Sequence, residues 1–152
     1  MLKRQILEMD RRLLAWHRAS DLSRRLEGIP CIGPLISTAL VASVPDPKVF
    51  RSGRDLSAWI GLVPQQNSTG GKEKLGSISK ASNRYLRQLL VVGALAVIRR
   101  AKQLGYNRHP WLVKLMERRS AKVAAVALAN KMARIAWAMM ARGEPYRATL
   151  PG

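Results

Sequence analysis

Cysteine, histidine, acidic residues and long apolar runs are all scarce in this chain of 152 residues. Cys31 is the only cysteine, which excludes an intramolecular disulfide and a metal site built from cysteines. The two histidines, His17 and His109, lack ligand-like spacing, so we expect surface or capping histidines and no metal site. The longest apolar run, residues 89–98, is too short to span a bilayer and predicts a buried core helix. The first residues reach acids before any apolar run, so we expect no secretory signal and a cytoplasmic location.

Positive charge is the most prominent feature that is present. The chain has 27 Lys and Arg against 9 Asp and Glu, a net charge of +18. From Gly70 onward 17 residues are basic and 3 are acidic, so most of the excess lies there. Such a chain repels itself unless an anion binds, and nucleic acid and anionic membranes are the usual anions. Because the charge is spread over many segments rather than one amphipathic helix, we expect nucleic acid and no membrane.

Apolar periodicity predicts a mainly α fold. The length of the chain and its hydrophobic fraction of 47% predict one compact domain with a buried core. Residues 2–27 carry one apolar stripe and predict a long, coiled-coil-like N-terminal helix. Residues 64–80 predict a loop or small hairpin. Further helices are predicted from about Leu35, from Ser52 to Trp59, from Ser82 or Asn83 to about Lys102, over 110–118, and from about Ser120 to Arg142.

The segment "IPCIG", residues 29–33, lies between two predicted helices and is typical of a helix-hairpin-helix DNA-binding element. In such a turn the backbone around Ile32 and Gly33, with the following helix N-terminus, can bind a phosphate. The usual form has glycine where this chain has Cys31, and a side chain there is expected to strain the turn or hinder close approach. The alternative is an ordinary packing corner between two helices.

The segment "NSTGGKEKLGSISK", residues 67–80, has too little bulk to bury a core and lacks the spacing of a P-loop. Its small residues would let a large substrate approach the hydroxyl of Ser68. Lys72, Lys74 and Lys80 could gather a backbone phosphate and stabilise charge during attack on phosphorus. No acid–base partner lies nearby in sequence, so chemistry alone favours a polar linker.

Three basic residues then share one face at the start of a predicted helix: Lys80, Arg84 and Arg87. Positive charge near a helix N-terminus opposes the helix dipole, and this placement is better explained if a phosphate binds there. The alternative is a solvated basic face.

Several blocks in order carry a family resemblance, among them "LEGIPCIGPL", "GLVPQQNSTGGKEKLG" and "NRYLRQLLVVGALAVIRR". Together they resemble the C-terminal serine domain of the insertion-sequence transposases whose N-terminal domain is a RuvC-like DEDD fold, the bridge-RNA-guided recombinases. The segment "KVAAVALANKMARIAWAMMARGEPY" is similar to that domain's closing helix. The resemblance covers about residues 26–146. It divides the chain into a linking helix (1–27), the serine domain (28–147) and a tail (148–152).

The resemblance implies that a serine in the loop after "GLVP" attacks a DNA phosphodiester and becomes covalently linked to it during strand exchange. That position falls on Ser68, and a shift of one residue would select Thr69 instead. The resemblance also implies DNA and a guide RNA as partners. It places the family's carboxylate tetrad and Mg²⁺ in the RuvC-like domain, so we expect no metal or cofactor in this chain.

Two departures from the family pattern affect the prediction. No RuvC-like segment precedes residue 26, so we expect a fragment, a truncated reading frame or one half of a split protein, inactive alone. Ala81 and Ser82 stand where the family often has a basic residue and glycine. We therefore predict a transposase domain that needs a RuvC-like partner, is nucleoid-associated and forms homo-oligomers through the N-terminal helix. The alternative function is a non-catalytic DNA- or RNA-binding module.

Overall fold

A computed structural model of the chain describes residues 1–62, 80–104 and 110–146. Within these ranges the fold is mainly α, as predicted, with seven α-helices, one short 3₁₀ helix and no strand. In chain order they are α1 (Leu2–Ala19), α2 (Asp21–Leu26), α3 (Pro34–Ser43), the 3₁₀ helix (Pro47–Val49), α4 (Gly53–Ile60), α5 (Lys80–Leu104), α6 (Pro110–Arg118) and α7 (Ala121–Arg142). The loop or hairpin predicted around residues 64–80 lies, except for its last residue, outside the described residues, as does His109.

The core is centred on the packing of α5 against α7, and α4 also packs on α7. The predicted core segment 89–98 is confirmed, because α5 buries Leu86, Leu90, Ala94 and Ile98 at intervals of four. The buried side of α7 is rich in alanine, whose small side chain lets a neighbouring helix approach closely. By length and composition α7 could cross a membrane, but half of its most apolar window is buried inside the protein, as in a core helix.

Capping residues explain why several helix ends lie where the sequence predicts. Ser52 accepts a hydrogen bond from the Asp55 N–H at 3.3 Å at the start of α4. Gly61 ends α4 in the left-handed region at φ 92°. Ser120 and Gly143 enclose α7 in the same way, with φ 68° at Gly143.

The start of α5 differs from the prediction. It begins at Lys80, so Ser82 and Asn83 lie within the helix instead of capping it. Lys80 and Ala81 are good helix formers, which accounts for the additional residues at this end.

The N-terminal helix also differs from the prediction, because residues 2–27 form two helices instead of one. Ser20 breaks the helix with extended backbone angles, φ −100° and ψ 113°, and its hydroxyl accepts a hydrogen bond from the Ser23 N–H at 3.2 Å. A serine in this position stabilises a new helix start. Met1 and residues 2–12 of α1 are all exposed, and the following turns pack on α3.

His17 is buried, with 4% of its surface exposed, so the predicted surface histidine is wrong. Its Nδ1 lies 2.7 Å from Ser23 Oγ and 3.3 Å from Ser37 Oγ, and its Nε2 contacts the Glu27 carboxylate. The Ser37 hydroxyl lies 3.2 Å from the Pro34 carbonyl. These contacts fasten α1 to α2 and α3. The partners are six, ten and twenty residues away in sequence, so the spacing of the histidines gives no sign of them.

Candidate functional site

The turn between α2 and α3 has the predicted strain at Cys31. Its φ is 70°, in the left-handed region where L-residues are disfavoured and glycine is favoured. The Ile32 N–H donates to the Ile29 carbonyl at 3.1 Å, and the Ile32 side chain is buried. Gly33 is the N-cap of α3, and a Cβ atom built on it would meet nothing within 4 Å. Of the two predicted phosphate-binding positions, Gly33 is therefore the one with open space around it.

Gly93 of α5 sets the position of this turn. A Cβ atom at Gly93 would come closer than 3.0 Å to the Cys31 carbonyl oxygen and would lie 3.0 Å from Cδ1 of Ile36. The backbone of the turn therefore rests directly on α5. Sequence analysis did not single out Gly93, although a glycine inside a strongly apolar helix is a signal of close backbone approach.

The predicted basic cluster is described in part. Arg84 and Arg87 are exposed on the first turns of α5. A Cβ atom built on Gly61 would lie 3.6 Å from Cδ and 3.9 Å from Nη1 of Arg87, so this arginine covers the end of α4. Lys80 begins α5, but its side chain lies outside the described residues. α5 contains six basic residues and no acidic residue, so its own sequence offers no counter-charge.

Four of the predicted residues, Ser68, Thr69, Lys72 and Lys74, lie outside the described residues, and their geometry stays a prediction. The last described residue before them is Leu62, which is buried next to Gly61. Arg87 therefore lies beside the last described residues that precede this segment in the chain.

The thiol of Cys31 is unsuited to nucleophilic chemistry. Burial raises its pKa to about 12, so the sulfur keeps its proton at neutral pH. Burial and the nearby Cys31 also raise the pKa of Tyr146. In the described ranges no three His, Cys, Asp or Glu side chains come together in a way that could hold a metal ion.

The other perturbed group is Lys131 of α7. Burial lowers the pKa of Lys131, whose Nζ lies 4.5 Å from the centre of the Trp111 ring. A cation in this position is stabilised by the face of the ring. The contact fastens α6 to α7.

The described helices and these side chains define a strongly basic, mainly α domain with a strained interhelical turn and with Arg87 beside the end of α4. Comparison with known proteins is more specific. The chain belongs to the family described as Transposase IS116/IS110/IS902 family, whose model matches residues 23–109.

Two similar proteins illustrate the relationship. The "Probable family 20 transposase" of Pseudomonas aeruginosa is 46% identical over 146 residues, which cover 96% of this chain and 43% of the relative. The "Transposase for insertion sequence element IS1111A" of Coxiella burnetii is 44% identical over 140 residues, covering 92% of this chain and 38% of the relative. The chain thus spans about two fifths of the length of the curated relatives it matches. The comparison with solved structures finds no match.

Proposed function

We propose that this chain is a DNA-transposition domain in which Ser68 attacks a DNA phosphodiester. The observation that carries the proposal is the family match over residues 23–109, which includes both the Cys31 turn and the segment with Ser68. Relatives that align with nearly all of this chain are named as transposases of insertion sequences. Thr69 is the alternative nucleophile.

The proposed step exchanges one ester bond for another. The Ser68 Oγ forms a bond to phosphorus as its proton leaves, and the bond from phosphorus to one deoxyribose oxygen breaks. That oxygen takes up a proton, and attack by a new DNA hydroxyl later reverses the step. Arg87, which lies beside Gly61 at the end of α4, and Arg84 on the same helix can neutralise charge that develops on the phosphoryl oxygens.

The base that takes the serine proton is proposed to come from outside this chain. A RuvC-like domain with a carboxylate tetrad and Mg²⁺ would supply it in trans, and a guide RNA would contact both parts. The resemblance of the sequence to bridge-RNA-guided recombinases supports this arrangement. The complex would act on the bacterial nucleoid.

We also propose that α1 joins two copies of the chain. Its apolar stripe is uncovered, with Leu2, Ile6 and Met9 exposed by 71%, 53% and 64%. These residues recur at intervals of four and three, which is the spacing of a coiled-coil seam. A second α1 has the same stripe and would cover it.

The test is a search for a denaturation-resistant protein–DNA adduct. The chain is mixed with a DNA end of its insertion sequence, with and without the RuvC-like domain and guide RNA. We expect an adduct only in the complete mixture, and we expect Ser68→Ala to abolish it while Thr69→Ala leaves it. An adduct that forms equally well with Ser68→Ala would refute the assignment. No adduct under any condition would favour the non-catalytic binding module.

A further inference from the structure

The outer face of α4 is unusually free of bulk. Its exposed residues are Arg54 and Ala58, followed by the exposed C-cap Gly61, and the remaining residues of the helix are buried or half-buried. Spacings of four and three place these three positions on one side of the helix. The face therefore has Arg54 at one end, and the small residues Ala58 and Gly61 make up the rest of it.

Two further arginines lie at the ends of this face, one at each end. Arg87 lies beside the exposed Gly61 at the C-terminal end, as its contact distances show. At the other end, a Cβ atom built on Gly53 would lie 2.9 Å from the Cα of Arg134, so α4 begins directly on the backbone of α7. Arg54 and Arg134 are both exposed to solvent, and both belong to the chain segments that meet at this contact. We call Arg54, Ala58, Gly61, Arg87 and Arg134 the α4 basic surface.

Carboxylates do not neutralise this surface. Across the described ranges, no Asp or Glu oxygen lies within 4.0 Å of the Arg54, Arg87 or Arg134 guanidinium. The acid on α4 itself, Asp55, is paired with Arg51 at 3.6 Å and accepts from the Arg51 N–H at 3.2 Å. Three like charges fixed around one short helix repel each other unless an anion lies among them.

We propose that the α4 basic surface binds the sugar–phosphate backbone of DNA as it approaches the segment with Ser68. This rests on the proposed function, and it adds Arg54 and Arg134 as contacts. Seven residues of helix separate Arg54 from Gly61, about 10 Å at 1.5 Å per residue. Successive phosphates of one strand rise about 3.4 Å along the DNA axis but lie roughly twice that distance apart along the backbone, so about two can lie across this surface. Ala58 and Gly61 let the backbone come close, and the arginine forks match phosphate oxygens.

The first experiment measures how binding of a labelled mixed-sequence DNA duplex depends on salt. The double variant Arg54→Gln/Arg134→Gln is compared with Arg11→Gln/Arg18→Gln on α1, which removes the same charge. Arg11 and Arg18 are exposed and have no carboxylate within 4.0 Å among the described residues. Each lost phosphate contact lowers the slope of log K against log salt by about 0.9. We expect a loss of about 1.8 for the α4 variant and little change for the α1 variant.

The second experiment places a carboxylate in the middle of the α4 basic surface, at Ala58. Ala58→Glu is compared with Ala15→Glu, an exposed alanine of α1. Both changes are compatible with a helix, and thermal unfolding identifies any variant that misfolds. We expect Ala58→Glu alone to weaken duplex binding severely.

The outcomes separate this inference from the proposed function. If the wild-type chain binds the duplex but the α4 and α1 variants lose affinity and slope equally, the α4 basic surface is refuted and nucleic-acid binding stands. If the wild-type chain binds no duplex at all, the α4 basic surface is refuted, whereas the Ser68 assignment is decided by the adduct test with the complete mixture.

Discussion

Gly93 offers a direct test of how the turn between α2 and α3 is positioned. Replacing it with alanine adds one methyl group closer than 3.0 Å to the Cys31 carbonyl oxygen. That oxygen belongs to backbone, not to a flexible side chain. The turn cannot yield easily, because Cys31 is already at φ 70° and the Ile32 N–H is bonded to Ile29 across it. The substitution must therefore push the α2–α3 unit away from α5.

The magnitude follows from two opposing effects. Alanine is favoured over glycine inside a helix by about 1 kcal/mol. Adding a methyl group to a closely packed site costs about 1–3 kcal/mol, and an overlap with backbone belongs at the upper end. We expect a net loss of about 2 kcal/mol. In a chain of this size each kcal/mol lowers the melting temperature by about 2–4 °C.

Thermal unfolding followed by circular dichroism measures this effect. We expect Gly93→Ala to melt about 4–8 °C below the wild type. Gly33→Ala is the control, because a Cβ there meets nothing within 4 Å. It should cost less than about 1 kcal/mol, through weaker N-capping alone. A melting temperature of Gly93→Ala at or above that of the wild type would refute the close approach of the turn to α5.

Three further predictions concern Cys31 and α1. Since Cys31 has φ 70°, Cys31→Gly should be more stable in urea unfolding than Cys31→Ala by about 1 kcal/mol, and the reverse order would contradict the left-handed turn. The raised pKa of about 12 means that the bound proton stabilises the fold below the unfolded thiol's pKa of about 9 and that this contribution is lost as pH rises towards 12. Iodoacetamide should therefore alkylate Cys31 slowly at pH 8 unless the chain is unfolded, and fast reaction of the native chain would contradict the raised pKa. Ile6→Lys with Met9→Lys should reduce the mass in light scattering to that of one chain without changing the melting temperature of the monomer. A wild-type chain that has the mass of one copy in the same measurement would refute the proposed dimer.

Local chemistry predicts much of this fold from sequence. Ser52, Ser120 and Gly143 act at the helix ends where their capping preferences place them, and the apolar run 89–98 is buried as expected. These features depend on residues close together in the chain. The strain at Cys31 belongs to the same group, because the glycine preference of that position is a property of the turn alone.

Other features depend on the tertiary fold and escaped sequence analysis. The apolar stripe of residues 2–27 continues across the break at Ser20, so periodicity alone could not locate the break. His17 finds its partners on α2 and α3, and Arg134 reaches α4 from 80 residues away in sequence. The predicted basic cluster was confined to residues 72–87 for this reason. The structure adds Arg54 and Arg134 because α4 begins directly on the backbone of α7 at Arg134.

The central claim is that Ser68 becomes covalently linked to DNA. The most direct measurement is proteolysis of the DNA-linked chain, formed with the RuvC-like domain and guide RNA, followed by mass spectrometry of the peptide that carries the nucleotide. We predict a phosphodiester-linked nucleotide on Ser68 and on no other residue. A nucleotide on Thr69, on a tyrosine or on any other side chain would contradict the account.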